Sequence, residues 1–226
     1  MTTPRRFYQS LSRDYAAKIR QLVPAYDDMV DWLVELVAWS DPAHALDIGC
    51  GDAYLTTRLL ERLPGLRATG VEASAEMAAV AREAASRCPG RLEVVQEDIL
   101  DFEPAGPLDA ACSNLVLHNL PEAQKRMLLK RLAGWIRPGG VFVWGDLVRQ
   151  PDPELEERLV AYRIAFAREH GCPEPLVEEN FAKEGSEDHP LTVDGMMAAL
   201  CAAGFHASPV WARDTFAIVR ARRPPS

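Results

Sequence analysis

The sequence contains no uninterrupted apolar run long enough to cross a bilayer, no internal repeat and no pair of cysteines at redox or metal-binding spacing. Its five cysteines, Cys50, Cys88, Cys112, Cys172 and Cys201, lie far apart, which fits neither a disulfide framework nor a zinc site and predicts reduced thiols and no metal. Positive charge is also in deficit. The formal charge of -8 repels polyphosphates and argues against nucleic acid as a partner. Arg5, Arg6, Arg13, Lys18 and Arg20 make the start of the chain basic, and Arg220, Arg222 and Arg223 do the same near its end; these read as solvated end charges. The opening MTTPRRFYQS lacks the apolar stretch of a secretory signal, so a cytoplasmic protein without membrane contact is expected.

What is present is enough apolar material, 48% of 226 residues, for one well-sized core in a single α/β domain. Residues 8–21 and 26–39 have helical spacing, the second with Met29, Val30, Leu33, Leu36 and Val37 on one face. Short apolar runs at 43–48, 67–72, 92–96, 108–115 and 141–147 then alternate with helical segments at 54–62, 75–87 (capped by Ser74) and 122–135. Arg137-Pro138-Gly139-Gly140 predicts a turn before the fifth strand. Such alternation predicts a parallel sheet with helices on both faces and ligands at the C-terminal ends of the strands.

After the fifth strand the pattern changes. Residues 151–189 are helical at first and then acidic, with eleven acidic side chains against four basic ones, and read as an insertion forming a lid. A helix at 193–203 ends at Gly204, and 206–213 with 215–222 form a closing antiparallel hairpin. The expected division is an N-terminal helical cap (1–42), a ligand-binding core (43–150), an acceptor-side insertion (151–190) and a final helix and hairpin (191–226).

In Leu46-Asp47-Ile48-Gly49-Cys50-Gly51 a buried strand runs into a glycine turn that opens a helix, letting backbone N–H groups approach a ligand closely. Glu72 ends the second strand, where a carboxylate can accept hydrogen bonds from both hydroxyls of a ribose, and Asp98 follows the third, within reach of an adenine amino group. A nicotinamide dinucleotide would need a third glycine at position 54, where the chain has Tyr54.

The combination of LDIGCG, GVEAS, QEDI, DAACSNLVLH and the RPGG turn resembles the class I S-adenosylmethionine-dependent methyltransferases over roughly residues 45–147. The resemblance implies a Rossmann-like, seven-stranded sheet with an antiparallel last strand, and S-adenosyl-L-methionine as cofactor. It also implies that Asp47, Gly49, Cys50 and Gly51 line the methionine and ribose part, Glu72 with Ala73 holds the ribose, Asp98 and Ile99 meet adenine and Asn114 lies beside the cofactor. Ala53 stands where the family's loop commonly has a further glycine. A second similarity, spread over more of the chain, is to the carboxy-S-adenosylmethionine synthase branch and related small-molecule methyltransferases, through Arg20, Pro24-Ala25-Tyr26, the acidic insertion and the segment Asp194–Phe205. By that likeness Tyr26 helps to cover the cofactor. Arg20 lies one residue further from Tyr26 than in the synthase pattern, Ala25 replaces a glycine, and residues 176–190 offer only Lys183 to hold an extra carboxylate, so methyl transfer is favoured over carboxymethyl chemistry.

Methyl transfer from a sulfonium is an in-line displacement that needs attack geometry and a dry site more than a catalytic group. If the acceptor must lose a proton, His118, just after the fourth strand, is the expected general base. His170 and His189 in the insertion are weaker candidates. Tyr15, Arg20, Tyr162, Phe166 and His170 are the expected acceptor contacts, with Phe7 and Tyr8 as further aromatic candidates, and Asp146 is read as a pocket residue or a strand cap. The expected activity is transfer of a methyl group to an oxygen or nitrogen of a small-molecule acceptor, by a monomer or homodimer; carboxymethyl chemistry and a non-catalytic cofactor-binding partner subunit are the alternatives.

Overall fold

Seven strands form one sheet: β1 (His44–Ile48), β2 (Arg67–Glu72), β3 (Leu92–Gln96), β4 (Leu108–Asn114), β5 (Ile136–Leu147), β6 (His206–Arg213) and β7 (Phe216–Arg222), in spatial order β3-β2-β1-β4-β5-β7-β6. The computed structural model describes residues 15–225. β1 pairs in parallel with β2 and β4, β2 with β3 and β4 with β5, whereas β7 runs antiparallel to both β5 and β6. The Rossmann-like sheet with an antiparallel last strand is therefore present, and the strand order reverses beside β1, which opens a crevice at the C-terminal ends of β1 and β4.

The helices are α1 (Tyr15–Leu22), α2 (Tyr26–Ala38), α3 (Tyr54–Arg62), α4 (Ala75–Ala85), α5 (Glu122–Trp135), α6 (Pro153–Glu169), α7 (Glu174–Ser186) and α8 (Val193–Ala202). β5 shows why the sheet needs cover on both faces: Val141 and Val143 enter one buried cluster, Phe142 and Trp144 the other. Met29, Val30, Leu33 and Leu36 of α2 press on the first face, so closely at Gly145 that a Cβ there would lie 2.8 Å from the Met29 terminal methyl. Leu128, Leu129 and Leu132 of α5, with Met196 and Leu200 of α8, fill the second. Ser74 caps α4 as expected, accepting from the Met77 N–H at 3.3 Å.

Two local expectations change. The Arg137–Gly140 segment is not a turn outside the sheet but a bulge inside β5. Ile136 pairs with Leu108 and Val141 with Ala110, Gly139 takes φ 82°, and main-chain bonds to Arg223 of 3.0 and 2.9 Å stitch the bulge to the chain's end. The acidic stretch after α6 is a second helix, α7, whose apolar Leu176 and Val177 are buried while Glu174, Glu178 and Glu179 are exposed; Glu184 turns in to pair with the buried Arg163 at 2.8 Å. Its acidic composition hid that two-sided pattern. Among the described residues no helix is long and apolar enough to cross a membrane.

Candidate active site

The chain leaving β1 turns sharply because three nearly consecutive residues adopt left-handed backbone: Gly49 at φ 65°, Gly51 at φ 58° and Ala53 at φ 62°. Ala53 therefore takes the conformation a glycine would favour. Its left-handed penalty of about 1 kcal/mol and the burial of its methyl, worth about 0.8 kcal/mol, nearly offset. Gly49 is needed for a second reason, since a Cβ there would lie 2.6 Å from a methyl of Val116. Cys50 turns inward, its amide bonded to Val71 O at 3.1 Å, and its Sγ occupies the space a Cβ on Gly70 would fill.

Behind the loop Asp47 is buried, 2% exposed, and accepts from the Thr56 hydroxyl at 2.5 Å. Burial pushes its carboxyl up to about 7 from the usual 3.8, against the lowering effect of the Thr56 hydroxyl. Below pH 3.8 the group is neutral in the folded and unfolded chain alike. Between 3.8 and about 7 only the folded chain keeps the proton, so stability declines as pH rises, by roughly 4 kcal/mol in total, and levels off above that range. Asp47→Asn keeps an acceptor for Thr56 and removes the anion. Thermal unfolding at pH 5 and pH 8 is expected to show a smaller decline for this variant than for the parent, and a higher Tm than the parent at pH 8.

In front of the loop opens a cavity of about 770 Å³ lined from both sides of the crevice. Glu72 faces the loop: its carboxylate accepts from the Gly51 N–H at 3.0 Å and the Ser74 N–H at 2.7 Å, tying the glycine turn to the end of β2. Asp98 lines the wall beyond it, accepting from the Leu100 N–H at 3.1 Å. Asn114 is on the cavity lining, and its Oδ1 atom is buried without a hydrogen-bond partner among the described residues. Asn119 lines the same cavity, and Glu187 and His189 close it from the segment after α7.

Of the residues singled out in the sequence, Tyr15, Gly49, Gly51, Glu72, Ala73, Asp98, Ile99, Asn114 and the weaker candidate His189 lie on this wall. Asp47 and Cys50 stand behind the loop and shape it. Tyr26 is also off the wall, stacked on Tyr54 with ring centroids 6.3 Å apart, and burial raises its phenol well above the usual range. Arg20 holds Asp27 through two nitrogens, at 2.9 and 2.7 Å, with its guanidinium 4.8 Å from the centre of the Tyr54 ring; it fastens α1 to α2. Tyr162 is exposed on α6, and His170 stacks on Phe166 at 3.8 Å and bonds its carbonyl oxygen, so none of these three reaches the cavity wall. Phe7 and Tyr8 lie outside the described residues.

His118 too is absent from the wall. The chain after β4 passes through Leu115 at φ 58° and a single 3₁₀ turn, Leu117–Asn119, which swings the imidazole inward. There Nδ1 lies 2.5 Å from Asp146 Oδ1, and Asp146 also accepts from the His118 N–H at 2.9 Å, the Trp144 indole N–H at 2.8 Å and the Leu147 N–H at 2.9 Å. Asp146 is thus neither pocket residue nor simple cap but the acceptor that folds this loop back. Glu187, the acidic end of the insertion, was not singled out; its only sequence signal is its nearness to His189.

Residues 45–140 match the family model of a methyltransferase domain. The chain is 32% identical over 202 residues to a carboxy-S-adenosyl-L-methionine synthase of Chromohalobacter salexigens, covering 85% of this chain and 73% of the relative. It is 38% identical over 109 residues to a trans-aconitate 2-methyltransferase of Azoarcus sp., covering 48% of this chain and 41% of that protein, so it spans under half of this relative. Among solved structures, an O-methyltransferase family protein from Burkholderia thailandensis superposes with a TM-score of 0.70 at 20% identity, over 98% of this chain and 62% of the other.

Proposed function

The chain belongs to the class I S-adenosylmethionine-dependent methyltransferases, and on that premise we propose that it methylates an oxygen or nitrogen of a small-molecule acceptor held between the glycine crevice and the segment that follows α7. The observation that carries this reading is the cavity in front of the glycine loop. Its volume of about 770 Å³ lies within the range for small-molecule sites, and its lining includes both the glycine loop with Glu72 and, across from it, Glu187 and His189.

The residues present fit the cofactor. Glu72 would take the ribose hydroxyls and Asp98 with the Ile99 side chain the adenine, while Gly49, Gly51 and Asn114 would line the methionine part. When bound, S-adenosylmethionine supplies an electrophilic methyl on a sulfonium sulfur. The chain's own work is to orient the acceptor and exclude water, with the segment carrying Glu187 and His189 as the lid. His189 and Glu187, which reach the cavity, are placed to take a proton from an acceptor; His118 is not.

Among the described residues no lysine or arginine lines the cavity. A neutral hydroxyl or an amine therefore suits it better than a polycarboxylate, which supports methyl transfer over carboxymethyl chemistry. Lys183, the one lysine or arginine of residues 176–190, is committed to Asn119 Oδ1 at 2.8 Å and to Asp188.

Calorimetric titration with S-adenosylhomocysteine tests the cofactor half: the parent protein is expected to bind, and Glu72→Ala to bind at least about 30-fold more weakly, a loss of roughly 2 kcal/mol. No binding by the parent would end the proposal. The acceptor half is checked by S-adenosylhomocysteine release with a panel of amines, phenols and di- and tricarboxylates; turnover confined to the carboxylates would overturn the charge argument. A carboxylated nucleoside co-purifying with the protein, seen by mass spectrometry, would instead support the carboxymethyl branch.

A further inference from the structure

Between the cavity and the second core cluster lies a line of charged side chains that the proposed chemistry does not use. His118 and Asp146 have side chains 7% and 2% exposed, and Lys183 and Asp188 are 6% and 5% exposed. Two buried cations or cationic candidates and two buried carboxylates cost desolvation, so their mutual geometry must be good to be tolerated. It is continuous. Trp144 and the loop amides anchor Asp146, Asp146 holds His118 Nδ1, His118 Nε2 lies 3.9 Å from Asp188 Oδ2, and Asp188 pairs with Lys183, which donates to Asn119 Oδ1 at 2.8 Å.

The backbone repeats the connection. The His189 N–H donates to His118 O at 2.6 Å, and the Lys125 ammonium of α5 donates to His189 O. Four of these contacts, His118–Asp188, Lys183–Asn119, His189–His118 and Lys125–His189, cross from α5 or the loop after β4 to residues 183–189. The alternation along that segment is what gives them a consequence: the Asp188 side chain points into the charged line, while Glu187 and His189 on either side of it line the cavity.

We propose that Lys183, Asp188 and His118 form a buried clamp whose task is to place Glu187 and His189 in the cavity wall, making them positioning residues for the acceptor. This rests on the reading of that wall as the acceptor side. It assigns acceptor choice to the turn after α7 rather than to the exposed aromatic face of α6. His118 then acts through Asp188 and not on the substrate.

The test uses the full chain carrying Lys183→Met together with Asp188→Leu, which removes both charges without stranding either, and Lys183→Arg as the conservative variant; His118→Gln is the second probe should the double variant fold poorly. Hydrogen exchange, titration with S-adenosylhomocysteine and turnover of the fastest acceptor in the panel are read together. In the double variant, exchange across residues 187–190 is expected to rise about tenfold or more. S-adenosylhomocysteine affinity should stay within about twofold, and acceptor KM should rise about tenfold with a smaller change in kcat. Lys183→Arg should restore protection and KM. Unchanged exchange and KM in a folded double variant, or in His118→Gln, would overturn the clamp, as would loss of S-adenosylhomocysteine binding in step with exchange. If no panel member turns over in the parent, the methyl-transfer reading fails by itself, and the exchange measurement still decides whether the clamp exists.

Discussion

Asp146→Ala is expected to unfold in urea with a stability lower by about 4 kcal/mol, the largest loss from any single side-chain truncation considered for this chain. Asp146 is 1% exposed and accepts four hydrogen bonds: two main-chain amides, the Trp144 indole and the His118 ring. Alanine leaves those donors inside the protein without a partner, and each stranded buried group costs about 1–3 kcal/mol. The Arg58–Asp31 pair sets the contrast. Its distance of 2.6 Å is short, yet its side chains are 36% and 56% exposed, and Asp31→Ala is expected to cost under about 1 kcal/mol. Equal losses from the two substitutions would show that Asp146 is not the structural acceptor that its geometry describes. A large loss confined to Asp146→Ala, with His118→Ala closer to the parent, would place the main cost in the amides and the indole rather than in the imidazole.

The framework was legible because it rests on local pattern. Alternating apolar runs and helical spacing locate five parallel strands, and knowing that ligands sit at their C-terminal ends is enough to pick Glu72 and Asp98 before any coordinates, whereas Asn114 comes from the family resemblance. What periodicity does not carry is the direction a side chain takes once regular structure stops. His118 stands four residues beyond β4, after a left-handed Leu115 and one 3₁₀ turn, and those two local events decide that it faces Asp146 instead of the cavity. Tyr162, Phe166 and His170 have an i, i+4, i+8 spacing that marks one face of a helix, and spacing alone does not say whether that face looks inward. In α6 it looks out. Glu187 escapes for a different reason, and His189 stands out in the sequence only as a secondary candidate. Their segment is held at the wall by bonds between His189 and Lys125 or His118, residues 64 and 71 positions away, and no local signal encodes such contacts.

The loop from Asp47 to Gly51 joins the two kinds of information, and Gly49→Ala is the sharpest test of it. The substitution meets two obstacles at once: φ of 65°, which costs an L-residue about 1–2 kcal/mol, and a Cβ placed 2.6 Å from a Val116 methyl. Val116 is itself on the cavity wall, so the clash cannot be relieved without moving either the glycine turn or the far side of the crevice. S-adenosylhomocysteine affinity is expected to fall about 100-fold, equivalent to about 2.7 kcal/mol. Gly51→Ala makes the same left-handed demand at φ 58°, but its Cβ would meet nothing closer than the Met77 methyl at 3.5 Å, an ordinary contact. Comparing the two therefore separates backbone strain from crowding. Adding Val116→Ala to Gly49→Ala removes the methyl that is struck and leaves the strain, so titration should recover part of the lost affinity and bring it toward that of Gly51→Ala. If the double variant binds no better than Gly49→Ala alone, the closeness of the turn to Val116 is not what Gly49 provides, and the loop's approach to the cofactor must be explained by backbone conformation only.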